Sequence, residues 1–181
     1  MNFYFPIALL GCLLCFDARA ARPFITDDAR LTTAGSCQLE SWVRAYPGST
    51  EFWALPACNP TGNLEITFGG TMSKANDESP MRDYVLQFKT LFKPLQTNGW
   101  GAGLAVGTLH HPESRPGPNQ LGNTYAYLPL SASFRDDSII MHSNLGWLRD
   151  NASGQDNLTW GLGGEFQAGT YGGIKMDTAE D

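Results

Sequence analysis

From Cys37 onward the chain alternates between apolar and polar positions. Asn63 to Ser73 sets Leu64, Ile66, Phe68 and Met72 against Glu65, Thr67, Gly69 and Thr71, a period of two that signals a strand rather than a helix. Asp83 to Lys93 opposes Tyr84, Leu86, Phe88 and Phe92 to Gln87, Lys89 and Lys93. Gly99 to His110 alternates Trp100, Ala102, Leu104 and Val106 with Gly101, Gly103, Ala105 and Gly107. Asn123 to Phe134 and Ile139 to Arg149 are two further strands joined by the tight polar link Arg135-Asp136-Asp137, and Asn157 to Ala168 is the last clear one. The pattern predicts roughly eight strands and no amphipathic helix.

The first hairpin fixes its own register. Cys37 to Tyr46 and Thr50 to Cys58 flank Pro47-Gly48, a turn dipeptide. Folding there sets Cys37 opposite Cys58, Trp42 opposite Trp53, and Arg44 opposite Glu51. One register thus yields a disulfide, an aromatic pair and a charge pair, all within cross-strand reach. Leu39, Val43 and Phe52 share the bridge's face.

Strand length and link rhythm point to lipid. Ordinary strands average about five or six residues, whereas several here alternate for about ten or eleven, enough to cross a bilayer when tilted. Long links (Lys74 to Pro80, His111 to Gly122, Asp150 to Asp156) take turns with short ones (Pro94 to Asn98, Arg135 to Asp137). Outer-membrane barrels show this rhythm of short periplasmic turns and longer external loops. The same count sets Asn59-Pro-Thr-Gly62 on the periplasmic side and Pro47-Gly48 outside. Aromatics then form two girdles, with Tyr84, Trp147 and Trp160 at the external level and Phe92, Trp100, Phe134 and Phe166 at the periplasmic level. The fold class expected is all-β, an antiparallel up-and-down barrel of about eight strands or an incomplete portion of a larger one. The alternative with the same period is a soluble β-sandwich whose apolar face is its core.

Composition is consistent with an exported protein. A net charge of -6 gives no basic footprint, so no nucleic acid partner is expected. Phe3 to Phe16 is an apolar run followed by Ala18-Arg19-Ala20, the pattern of a secretory signal peptide cut after Ala20. Its n-region lacks Lys and Arg, and the lipoprotein-like Leu9-Leu10-Gly11-Cys12 is passed by further apolar residues. Cleavage removes Cys12 and Cys15, leaving Cys37 and Cys58 for one disulfide in an oxidising compartment. The expected organisation is 1–20 signal peptide, 21–35 N-terminal periplasmic segment, 36–169 barrel, and 170–181 tail or truncated turn.

The opening of the mature chain, Ala21-Arg-Pro-Phe-Ile-Thr-Asp-Asp-Ala29, with Gly35 and Gln38-Leu-Glu40 following, resembles a proteobacterial family. These are outer-membrane barrels associated with the MetA pathway of phenol degradation, often called transporter-like. The motif covers about 20 residues, and the remainder matches in architecture only. The resemblance implies an exported barrel permitting passage of small molecules, aromatic ones among them, and carries no catalytic residues. Such proteins look longer than this chain, and bacterial barrels commonly finish on an aromatic residue. The end at Gly172 to Asp181 therefore suggests a truncated product.

Chemical motifs are sparse. Gly99-Trp-Gly-Ala-Gly103 and Gly161-Leu-Gly-Gly164 lack the following helix that phosphate loops need. His110 and His111 point to opposite faces of a strand and do not chelate together. Asp27-Asp28 and Asp136-Asp137 read as turn and surface pairs. Asn151-Ala-Ser153 and Asn157-Leu-Thr159 match glycosylation acceptors, which matter only in a eukaryotic secretory context. No Gly-x-Ser-x-Gly or His-Glu-x-x-His occurs, so neither an enzyme, a cofactor nor a metal is expected. Glu65, Gln87, Lys89, His142, Asn144 and Glu165 are the lumen-facing candidates. They either line a wet path or form a network that plugs it, and an eight-strand interior that side chains fill favours the plug. The expected role is a passive porin-like or transporter-like barrel of the outer membrane, with lipid, the barrel-assembly machinery and a small solute as partners. The second reading is a soluble periplasmic sandwich or small barrel binding an apolar ligand or a protein.

Overall fold

A computed structural model describes residues 26–75, 79–112 and 122–167, together with the backbone of 173–180. The leader, Ala21 to Ile25 of the opening motif and most of the 111–122 link lie outside the described residues. The described chain forms one antiparallel sheet in sequence order: β1 (Ser36–Tyr46), β2 (Ser49–Asn59), β3 (Glu65–Ala75), β4 (Met81–Lys93), β5 (Trp100–His110), β6 (Asn123–Phe134), β7 (Ile139–Asp150), β8 (Gln155–Gln167) and β9 (Gly173–Glu180). The up-and-down sheet curls into an open half-barrel, and among the described residues no ladder joins its first strand to its last. Residues 173–180, expected as tail or turn, pair along β8 instead. Ile174 and Met176 alternate with Lys175 and Asp177, a pattern short enough to pass unnoticed without the β8 edge.

The hairpin register is the expected one, with Cys37↔Cys58, Trp42↔Trp53 and Arg44↔Glu51 directly opposed. Cys37 and Cys58 are disulfide-bonded. Gly48 supplies the turn with a φ of 86°, a left-handed value that costs glycine little. At the other end of the sheet Arg135, Asp136 and Asp137 all have positive φ, from 52° to 64°. Short polar side chains tolerate that region when they bond locally. Here Asp136 N donates to Asn98 Oδ1 at 2.8 Å, Asn98 Nδ2 returns a bond to Asp136 Oδ1 at 2.6 Å, and Thr97 donates to Asp137 Oδ2 at 2.6 Å. The β4–β5 and β6–β7 turns are thereby knitted into one rim.

The two faces of the sheet differ sharply. On the convex side Leu39 is 65% exposed and Leu158 72%, while on the concave side Lys89 is 3% exposed and His142 2%. In β1–β8, among the described residues, convex positions between the strand ends carry no Asp, Glu, Lys or Arg; Lys74, Arg82, Arg149 and Asp156 stand at one end and Lys93 at the other. Lys93, expected on the face opposite Phe92, comes to the convex side because a bulge between Leu91 and Lys93 shifts the register. Its Nζ lies 3.8 Å from the Trp100 ring centroid. No second sheet covers the apolar face among the described residues.

All but one of the girdle aromatics fall at two levels. Trp100 pairs with Ala132, and Phe134 pairs with Ile139, itself opposite Phe166; Phe92 sits at the same end. Tyr84 opposite His110 and Trp147 opposite Leu158 mark the other end, whereas Trp160, expected beside them, lies opposite Leu145 near the middle of its strand. All are exposed on the convex face except Phe166, which is half-buried.

Candidate functional site: a polar interior and its plug

The concave face is filled by the chain's own residues 26–34. This stretch, part of the N-terminal segment set apart from the barrel by sequence, runs across the sheet with Thr26 and Ala29 fully buried. Side chains from six strands hold it. From β2, Asn59 Nδ2 donates to Thr32 O at 2.7 Å. From β3, Glu65 Oε2 accepts both the backbone N–H and the hydroxyl of Thr32, each at 2.6 Å. From β4, Lys89 Nζ reaches Asp27 Oδ1 at 2.7 Å and Asp28 Oδ1 at 3.7 Å. From β6, Tyr127 donates to Asp27 Oδ2 at 2.6 Å, and Ser131 Oγ accepts the Ala29 N–H at 2.9 Å. In the amide orientation that satisfies both of its groups, Asn144 of β7 donates to Asp27 O at 2.9 Å and accepts from Asp27 N at 2.7 Å. From β8, Glu165 lies 3.6 Å from Arg30 Nη1.

The six lumen candidates are thus brought together around one segment. Glu65 and Lys89 stand directly opposite each other in the β3–β4 ladder, yet each spends its strongest contact on the plug. Gln87 binds the plug only at second hand, its Oε1 accepting from Tyr125 at 3.0 Å and lying 3.0 Å from the Tyr127 hydroxyl. His142 Nδ1 is 2.7 Å from Ser131 Oγ, and its Nε2 is 3.6 Å from Glu165 Oε1. Buried polar groups cost free energy unless bonded, and here the bonds converge on 26–34.

Glycines on the concave face make the room. A Cβ at Gly161 would stand 2.5 Å from Thr26 Oγ1, and one at Gly107 would stand 2.4 Å from the Tyr125 ring. Neither glycine is needed for its φ; both clear space for what packs above the sheet.

Asp27 and Asp28, read from sequence as a turn and surface pair, are the principal partners of Lys89 instead. Nothing in the periodicity flags them, because 26–34 has none. Tyr125, Tyr127 and Ser131 were within reach of the alternation of Asn123 to Phe134, where they oppose Ala126, Leu128, Leu130 and Ala132. The Arg44–Glu51 charge pair is corrected in part: the residues are opposed, but Glu51 Oε2 accepts from Trp53 Nε1 at 3.0 Å. His111 Nδ1 is 2.7 Å from Asp83 Oδ1, so this loop-end histidine has a carboxylate partner. Among the described residues no three His, Cys, Asp or Glu side chains are arranged to hold a metal. A shallow depression is lined by Leu104, Leu128, Leu145 and Trp147 of the convex face, with Tyr127 beside them.

The chain matches, over residues 9–173, the family model described as Uncharacterised conserved protein UCP029691. It belongs to that family. The match spans β1 to β8 and the whole plug. No curated protein matches the chain, and no solved structure matches it.

Proposed function

We propose that this protein is an exported outer-membrane β-barrel protein, a passive porin-like or transporter-like conduit whose interior is occupied by residues 26–34. The observation that carries the reading is the distribution of charge. Among the described residues of β1–β8, charged side chains on the convex face are confined to strand ends, while Asp27, Glu65, Lys89 and Glu165 gather on the concave face. That is the partition required when the outside is hydrocarbon and the inside is polar. Aromatic rims at both ends of the strands support it, as does the leader at 1–20 with its expected cleavage. Resemblance of the opening motif to the MetA-associated barrels supports passage of small, aromatic-containing solutes. A soluble sandwich is disfavoured because, among the described residues, no second layer packs against the apolar face.

Fractionation tests the location: the protein is expected in detergent-extracted outer membrane, and recovery in the soluble periplasm without detergent would remove the reading. Reconstitution tests the activity. Vesicles containing the purified protein should leak small solutes faster than empty ones, and a seal tight to every solute tried would leave only a structural role.

A further inference from the structure

Two of the five tryptophans look away from the apolar band. Trp42 and Trp53 face each other on the concave side of β1–β2, parallel within 1° with centroids 5.4 Å apart. The Arg44 guanidinium lies 6.0 Å from one centroid and 5.8 Å from the other. All three residues are only half-buried. The ordinary fate of Arg44 would be an ion pair with Glu51, its direct cross-strand partner. Glu51 is engaged by the Trp53 N–H instead, and no ion pair joins Arg44 to a carboxylate among the described residues. Trp42 Nε1 has no hydrogen-bond partner among the described residues.

This arrangement is more than a hairpin staple. An aromatic pair that served packing alone would leave the Arg44–Glu51 bridge free to form beside it. Here a guanidinium, whose planar fork matches a carboxylate and whose stacking restricts its orientation in advance, is left with donors to spare beside an accessible ring surface. We infer that Trp42, Trp53 and Arg44 form a binding subsite for a ring-bearing monocarboxylate, the ring against the indoles and the carboxylate on Arg44. Glu51 on one side and Glu40 on the next inward pair of the ladder, about 7 Å along the strand, repel a second negative charge. The subsite therefore selects against dicarboxylates. It deepens the conduit reading by naming a solute class, and rests on that reading only for the claim that the bound solute is in transit.

The test is ligand-observed NMR on the mature protein in detergent micelles, with benzoate, acetate, phthalate and benzyl alcohol as probes. Benzoate should bind saturably with a dissociation constant of about 1 mM, and the other three at least about tenfold more weakly. Arg44→Gln and Trp53→Leu should each weaken benzoate by about tenfold, with Arg44→Lys intermediate because it keeps the charge and loses the fork. Each variant is compared only where it retains the Cys37–Cys58 bridge; the wild-type probe series decides the matter without any variant. Benzoate that does not saturate, phthalate that binds as tightly, or equal benzoate affinity in wild type and Arg44→Gln would overturn the subsite. Flux in vesicles separates the two claims. Arg44-dependent binding without benzoate flux keeps the subsite and removes the conduit, whereas flux indifferent to both Arg44 and Trp53 keeps the conduit and removes the subsite.

Discussion

At the scale of single residues the interior is organised by Asp27. Its two carboxylate oxygens take Lys89 and Tyr127, and its backbone takes both groups of the Asn144 amide. Lys89 is almost wholly enclosed, so its charge depends on that partner. Removing one member of a fully buried pair costs about 3–5 kcal/mol. Asp27 is partly accessible, and Asp28 stands 3.7 Å from Lys89 as a reserve. Asp27→Asn should therefore destabilise by less, about 2 kcal/mol, read from urea midpoints in micelles; no measurable shift would mean that the pair is ornamental. A second residue acts at the rim. The Ser133 hydroxyl, and after it Thr97, holds the Asp137 carboxyl below its ordinary value. A depressed carboxylate contributes stability above its unfolded value of about 4, and that contribution is lost as pH falls through the lower folded value. Wild type should accordingly lose its advantage over Asp137→Asn on acidification from about pH 6 to about pH 3. An advantage that stays constant over that range would show that the hydrogen bonds do not discriminate the charged form.

At the scale of elements, the strands and the plug obey different rules, which is why one was legible and the other was not. A strand writes its orientation into every second residue, so Leu158, Trp160 and Leu162 announce their face without help. The β1–β2 register was legible for a further reason: three independent pairs demanded it. The plug offers only Thr26-Asp-Asp-Ala-Arg-Leu-Thr, which has no period, and its conformation is imposed by groups far away in sequence, as in the bond from Ala29 N to Ser131 Oγ, 102 positions apart. Lys93 escaped because one bulge reverses the parity on which alternation depends. Asp27-Asp28 escaped because a turn pair and a half-buried acceptor pair are spelled alike. The plug's dependence on the sheet below it is testable at Gly161. A valine there would drive its Cβ to 2.5 Å from Thr26 Oγ1, a separation that the segment must relieve by moving. Gly161→Val should make 26–34 more susceptible to protease and vesicles more permeable, and adding Thr26→Gly should restore both. If the double variant leaks as much as the single one, the steric account fails.

At the scale of the whole molecule, the decisive question is what solvates the convex face. Water and hydrocarbon make opposite predictions for the same substitution. Leu145 lies near the middle of β7, is 53% exposed and has no charged residue beside it on that face. On a water-facing surface, Leu145→Arg would change stability by no more than about 0.5 kcal/mol. In lipid, an arginine at the midplane costs about 2–4 kcal/mol, falling to about 0–1 near the interfaces. Leu158, next to Asp156 and opposite Trp147 at a strand end, supplies the second depth. Refolding into vesicles under a urea gradient should show Leu145→Arg strongly destabilised and Leu158→Arg only mildly so. The gradient between the two positions carries the argument, because a general intolerance of arginine would penalise both alike. Equal and negligible effects would mean that water bathes the belt, and the conduit reading would fall with it. The aromatic subsite on the concave face would survive that result, since its binding depends on Arg44, Trp42 and Trp53 rather than on what lies behind the sheet.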